Sequence, residues 1–142
     1  MPRTPLLRLF TYGTLMSTAT GRAGLGERAA ITACARLLGP ASLRGALYDV
    51  GLYPAAVPRS AGTTRIHGEV WQVHSDHEDL LAMLDAYEGC AAHSSRPYPY
   101  QRIRIGVTTA ASRRMSCAMY AWALSTDGLA VIESGQIGRA HV

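Results

Sequence analysis

The chain has 142 residues, with 14 arginines, no lysine and 10 acidic residues, for a formal charge of +4. That length suits one domain, since about 70% of the unfolded surface can be buried at this size, and an apolar share of 48% with 17% charged residues argues against disorder. The longest apolar run, Cys117 to Leu124, has eight residues, far short of the ~20 needed for a membrane-spanning helix, and Arg8 splits the apolar stretch near the N-terminus, so neither a membrane span nor a secretory signal is expected and the reading is a cytoplasmic domain.

Leu6 to Tyr12 reads as a short strand running into a turn at Gly13-Thr14. Residues 17 to 26 are rich in Gly, Ser and Thr and read as loop, followed by a short helix over Glu27–Cys34. From Ala35 to Val50 the pattern is extended, broken at Gly39-Pro40 and Gly45. A turn at Gly51-Leu52-Tyr53-Pro54 leads to Ala55–Val57, and a second turn at Ser60-Ala61-Gly62 leads to a half-buried strand around Trp71. Ser75-Asp76-His77-Glu78 has the form of a capping box, and Leu80, Leu81, Leu84 and Tyr87 follow at helical spacing. Gly89 suits the C′ position, so a helix is predicted from Asp76 to about Tyr87. Residues 90 to 99 read as loop, and two strands follow near Tyr100–Thr108 and Met115–Leu124. Many strands with few helices imply an α+β fold: a small mixed β-barrel or strongly curled sheet flanked by a few helices.

Residues 1–135 therefore read as one domain. Residues 136–142 carry no structural periodicity, and Ile137 to Val142 is also the translation of a widely used sequencing adapter. This segment is read as a non-native tail, the alternative being an ordinary polar tail, and is left out of the fold argument.

The arginines are scattered from Arg3 to Arg139, without zinc-finger spacing or a Gly-aromatic RNA motif, so nucleic acid is not expected as a partner. The absence of Lys and Asn is read as coding bias in a GC-rich genome. Cys34, Cys90 and Cys117 form no C-x-x-C pair and read as small buried hydrophobes in a reducing compartment. The five histidines lack ligand spacing, so no metal is expected.

Two local features bear on chemistry. Tyr12-Gly13-Thr14-Leu15 turns sharply at the end of the first strand, where successive backbone N–H groups can form an anion-binding concavity. The alternative is an ordinary strand-to-loop turn. Glu88 sits at the predicted helix C-terminus, facing the negative end of the macrodipole, which raises a carboxyl pKa. Beside Tyr87, it has the makings of a general base poised near neutrality; the alternative is a solvated acid at a frayed helix end.

Y-G-T-L at 12–15, G-A-L-Y-D-V-G-L-Y-P-A at 45–55, G-E-V-W-Q-V at 68–73, L-D-A-Y-E-G at 84–89 and Y-Q-R at 100–102 occur in this order. The series resembles the γ-glutamylcyclotransferase-like family, including the γ-glutamylamine cyclotransferases, from about Leu6 to Gly135. Ile132-Glu133-Ser134-Gly135 is similar to the start of that family's terminal S-G-D-W segment, which this chain does not continue. The resemblance implies a small mixed β-barrel and a cofactor-independent lyase or acyltransferase. In that reaction the α-amine of a small-molecule γ-glutamyl substrate attacks its own γ-carbonyl, giving 5-oxoproline and an amine or amino acid. It further implies Glu88 as acid/base, Tyr12, Gly13, Thr14 and Leu15 as the backbone cradle of the γ-glutamyl group, and Tyr53 and Tyr100 as cavity walls. Arg102 is expected either to pair with a carboxylate, Glu88 included, or to be a surface arginine. The 90–99 loop is expected to border the leaving-group side. The competing expectation is a non-catalytic domain of the same fold that binds a small carboxylate, although a pure anion site gains nothing from a carboxylate in its pocket.

Overall fold

A computed structural model describes residues 7–16, 19, 24–51, 54–74 and 77–135. Tyr53, the first half of the capping box at Ser75-Asp76 and the 136–142 tail lie outside the described residues. The elements are β1 (Arg8–Thr11), a 3-10 turn (Gly13–Leu15), α1 (Leu25–Cys34), β2 (Ala35–Asp49), β3 (Pro54–Pro58), β4 (Arg65–Val73), α2 (His77–Glu88), β5 (Tyr100–Thr109), β6 (Arg114–Trp122) and β7 (Ala130–Val131).

The strands close on themselves. β2 pairs with β4, β4 with β1, β1 with β6, and β6 with β5, and the contacts Ala41↔Thr109 and Ser42↔Thr108 return β5 to β2. The result is a five-stranded barrel, antiparallel except for the β1–β6 pair at Leu9↔Ala118. β3 and β7 extend it from the far half of β2. The expected α+β fold with a small mixed barrel is thus observed.

Gly39-Pro40 and Gly45 do not break β2. Its register against β4 shifts between Leu37 and Gly39, so a bulge absorbs the irregularity and one strand of 15 residues runs on. Beyond Gly45 the strand leaves β4 and pairs with β3. Such a strand can turn the corner of a small barrel and still serve two neighbours.

Alternate residues on the strands face two separate cores. Phe10, Leu43, Ile66, Val70, Val107 and Met119 pack together, while Leu9, Trp71, Val73, Ala118 and Tyr120 pack with Leu15, Ile31, Leu80 and Leu84 from the turn and the helices. Neighbours such as Leu9/Phe10 and Val70/Trp71 therefore both bury apolar surface on opposite faces. The space between β1 and β4 is so tight that a Cβ at Gly68 would stand 2.1 Å from the Thr11 carbonyl oxygen. This close approach fixes where β1 ends and the turn begins.

Candidate active site

The site grows from two chain reversals. At the first, β1 stops at Thr11, Tyr12 is still extended (φ −143°, ψ 153°), and Gly13 takes φ +78°, which a side chain would strain. The Met16 N–H then donates to the Gly13 carbonyl (3.1 Å), and Leu15 is buried against the helices. The predicted Tyr12–Leu15 turn thus has a packed anchor in Leu15; the Thr14 side chain lies outside the described set.

The second reversal ends α2. Gly89 has φ +75°, its N–H donates to the Ala86 carbonyl (3.2 Å), and the Cys90 N–H reaches the Asp85 carbonyl (2.9 Å). These two bonds make a Schellman motif with Glu88 as its C-cap. The sequence L-D-A-Y-E-G therefore fixes the carboxylate at the last helical position, against the negative end of the helix dipole.

Glu88 is only partly exposed, and burial pushes its carboxyl up to about 8 from 4.5, with the Glu27 carboxylate raising it further. Glu27 lies in the first turn of α1, which packs on α2. Glu88 in turn acts on Tyr12: burial, and then the Glu88 charge and Tyr100, hold the Tyr12 hydroxyl well above the usual phenol range, opposed by the Ala56 N–H. Glu88 and Tyr100 are therefore each within electrostatic reach of Tyr12, although 76 and 88 residues separate them from it in sequence. The Tyr12 hydroxyl donates to the Tyr120 carbonyl. The Tyr100 hydroxyl donates to the Pro54 carbonyl (2.6 Å), tying down the start of β3, and its ring meets Trp122 edge-on at 5.3 Å between centroids.

Arg102 does pair with a carboxylate, but with Asp85 and not Glu88. Its Nε and Nη2 donate to the two Asp85 oxygens at 3.0 and 3.3 Å. The Tyr120 hydroxyl donates to Asp85 Oδ1 at 2.6 Å, and burial followed by that bond raises the Tyr120 phenol pKa. Asp85 stands one turn before Glu88, so this network clamps the last turn of α2 to β5 and β6. Neither Asp85 nor Glu27 is evident as a site residue from spacing: Asp85 stands three residues before Glu88 on the same helix, and Glu27 comes from the helix packed against it.

The 90–99 loop borders a pocket of about 460 Å³ through Cys90 and Tyr98, with Asp85, Gln101, Arg102 and Ala123 completing its wall. Burial, followed by the Asp85 charge, raises the Cys90 thiol pKa, and burial pushes Cys117 up to about 11, so neither is an activated thiolate. Among the described residues no three His, Cys, Asp or Glu side chains converge as a metal site, and no helix is long and apolar enough to cross a membrane.

The family model described as gamma-glutamyl cyclotransferase, AIG2-like, matches residues 9–138. No curated protein matches the chain by sequence. Among solved structures, YtfP from Escherichia coli is 33% identical, with 92% of this chain and 95% of that one covered and a TM-score of 0.58. An AIG2-like protein from Mus musculus shares the fold at 21% identity, with a TM-score of 0.65 over 91% of this chain and 87% of that one. YkqA from Bacillus subtilis shares it at 20% identity and a TM-score of 0.64; 93% of this chain is covered, but the chain spans only 39% of YkqA.

Proposed function

Because the chain belongs to the gamma-glutamyl cyclotransferase, AIG2-like family, we propose that it converts a γ-glutamyl amine, amino acid or peptide into 5-oxoproline and the free amine. The observation that carries this reading is Glu88: a carboxyl raised to about 8, set by a helix cap beside Tyr12 and the turn that follows it.

The nucleophile is already in the substrate. Its α-amine attacks the γ-carbonyl carbon, the new C–N bond closes a five-membered ring, and the old bond to the leaving amine breaks. One proton must leave the α-nitrogen and one must reach the leaving nitrogen; no water is consumed. Glu88 performs both transfers. Attack requires the neutral α-amine, and a carboxyl raised to about 8 lies far closer to an amine's range than one at 4.5, so it takes and returns that proton at lower free-energy cost.

Orientation supplies most of the rest. Holding amine and carbonyl in attack geometry reaches effective molarities of order ~10⁵ M or more in ring closures. The backbone of Tyr12, Gly13, Thr14 and Leu15 holds the γ-glutamyl group, and an N–H aimed at the developing oxyanion contributes about 3–4 kcal/mol. Tyr100 walls the cavity, and the pocket bordered by Cys90 and Tyr98 shapes the leaving-group side. Neither step calls for a redox cofactor, since no oxidation state changes.

A panel of γ-glutamyl amines, amino acids and peptides assayed for 5-oxoproline tests the reading. Equimolar release of 5-oxoproline and amine from at least one member is expected. Binding without turnover across the panel would instead make the chain a carboxylate-binding domain on this fold.

A further inference from the structure

A second pocket, of about 650 Å³, opens along the barrel wall. Its rim and floor come from Leu43 and Arg44 on β2, Pro58 at the end of β3 with Arg59 and Ser60 after it, Arg65 on β4, Ile105, Gly106 and Thr108 on β5, and Arg114 on β6. Four of its ten lining residues are arginines, and none is acidic or aromatic. It lies toward the Thr108↔Arg114 end of the β5–β6 ladder, whereas Tyr100↔Trp122 forms the other end, by the candidate active site.

Two of these arginines are held by hydrogen bonds. Arg65 donates to the Ser42 hydroxyl (2.8 Å) and the Ser42 carbonyl (3.3 Å), and Arg59 donates to the Tyr48 hydroxyl (2.8 Å). The Arg114 guanidinium lies over Gly106, where a Cβ would come within 3.1 Å of its Nη2. Arg44 faces Arg65 directly across the β2–β4 ladder. Like charges so placed repel and destabilise a sheet, and no lining acid relieves them.

We propose that this pocket binds a small, multiply charged phosphate ligand of diphosphate or triphosphate type. A guanidinium fork matches two oxygens at once, so a lone carboxylate occupies one arginine, whereas a phosphate chain offers oxygens to several. The volume falls within the ~300–1,000 Å³ of small-molecule sites, and Leu43, Pro58 and Ile105 give an apolar surface for an organic group carried by the phosphates. Single-stranded nucleic acid fits less well, because its sites add aromatic platforms for the bases. Sequence reading misses the pocket because residues 44, 59, 65 and 114 become neighbours only when the barrel closes.

Titration calorimetry on the full chain with inorganic triphosphate, and separately with ATP, tests the proposal at about 150 mM salt, where exposed long-range charge effects are screened. One-to-one saturable binding is expected; tighter ATP binding identifies an organic phosphate, and equal affinity an inorganic one. Arg65→Gln/Arg114→Gln should weaken binding by about tenfold or more, and Arg59→Gln does the same without touching the Arg65–Ser42 bonds. The pair Arg36→Gln/Arg104→Gln removes equal charge outside the pocket and should leave affinity unchanged. Gly106→Ala should weaken binding about threefold by displacing Arg114. Absence of saturation up to about 10 mM triphosphate, where weak specific sites would fill, overturns the proposal. So does an equal loss in the Arg36/Arg104 pair, or binding of a DNA oligomer without saturable triphosphate binding.

Discussion

Replacing Glu88 with glutamine should stabilise the folded chain at high pH and leave it nearly unchanged at low pH. In the unfolded chain this carboxyl titrates at its model value of 4.5, and in the fold at about 8. Between those limits the native state holds a proton that the unfolded state has released, so raising the pH favours unfolding. The slope is about 1.4 kcal/mol per pH unit, which accumulates to roughly 3–5 kcal/mol across the window. That is a large part of the ~5–15 kcal/mol available to a domain. Gln keeps the shape of the protonated acid but cannot ionise. Urea unfolding of both proteins from pH 5 to pH 9 should therefore show curves that agree at the acid end. They should diverge at the alkaline end by roughly 2 M in midpoint, for an m-value near ~2 kcal/mol/M. A difference that stays flat with pH would refute the reasoning, because it would place Glu88 in water with an ordinary pKa.

Glu27→Gln removes the like charge opposite Glu88, so the midpoint of the kcat/KM pH profile should move down by up to about one unit; an unmoved midpoint would put Glu27 out of electrostatic reach. Asp85→Ala deprives the Tyr120 hydroxyl and Arg102 of their acceptor. It should cost about 1–3 kcal/mol of stability and lower kcat about tenfold with little change in KM, because the cap that aims Glu88 loosens. Loss of stability with kcat unchanged would make the clamp purely structural. Most of that stability should belong to the Tyr120 bond, since the Arg102 side chain is 38% exposed and such ion pairs contribute less than about 1 kcal/mol. Gly68→Ala drives a Cβ to 2.1 Å from the Thr11 carbonyl and should destabilise by about 3 kcal/mol or more in urea unfolding; a loss under about 1 kcal/mol would show that β1 and β4 separate easily.

Legibility of the fold in the sequence follows how local each signal is. Leu80, Leu81 and Leu84 at helical spacing, closed by Gly89, place α2 within a residue of its observed His77–Glu88 span, and the same segment carries Glu88. The Tyr12–Leu15 turn is equally local. β2 is not, because Gly39-Pro40 reads as a break and only pairing with β4 shows that a bulge absorbs it. Strands that bury both faces lose the apolar–polar alternation, so Leu9/Phe10 gives no hint of two separate cores. Closure of the barrel rests on Ala41↔Thr109 and Ser42↔Thr108, more than sixty residues apart in sequence. The Arg102 partner shows the same limit: residue type predicts a carboxylate, and only the packing of α2 on β5 selects Asp85 over Glu88.

The most direct test of Glu88 as the acid/base compares the native chain with Glu88→Gln by following 5-oxoproline and free amine against time near pH 8. The native chain should release both in equal amounts. The variant should fold at least as stably yet turn over about 10²–10⁴-fold more slowly, the usual contribution of one positioned acid/base. Equal rates in the two proteins would contradict the assignment of Glu88.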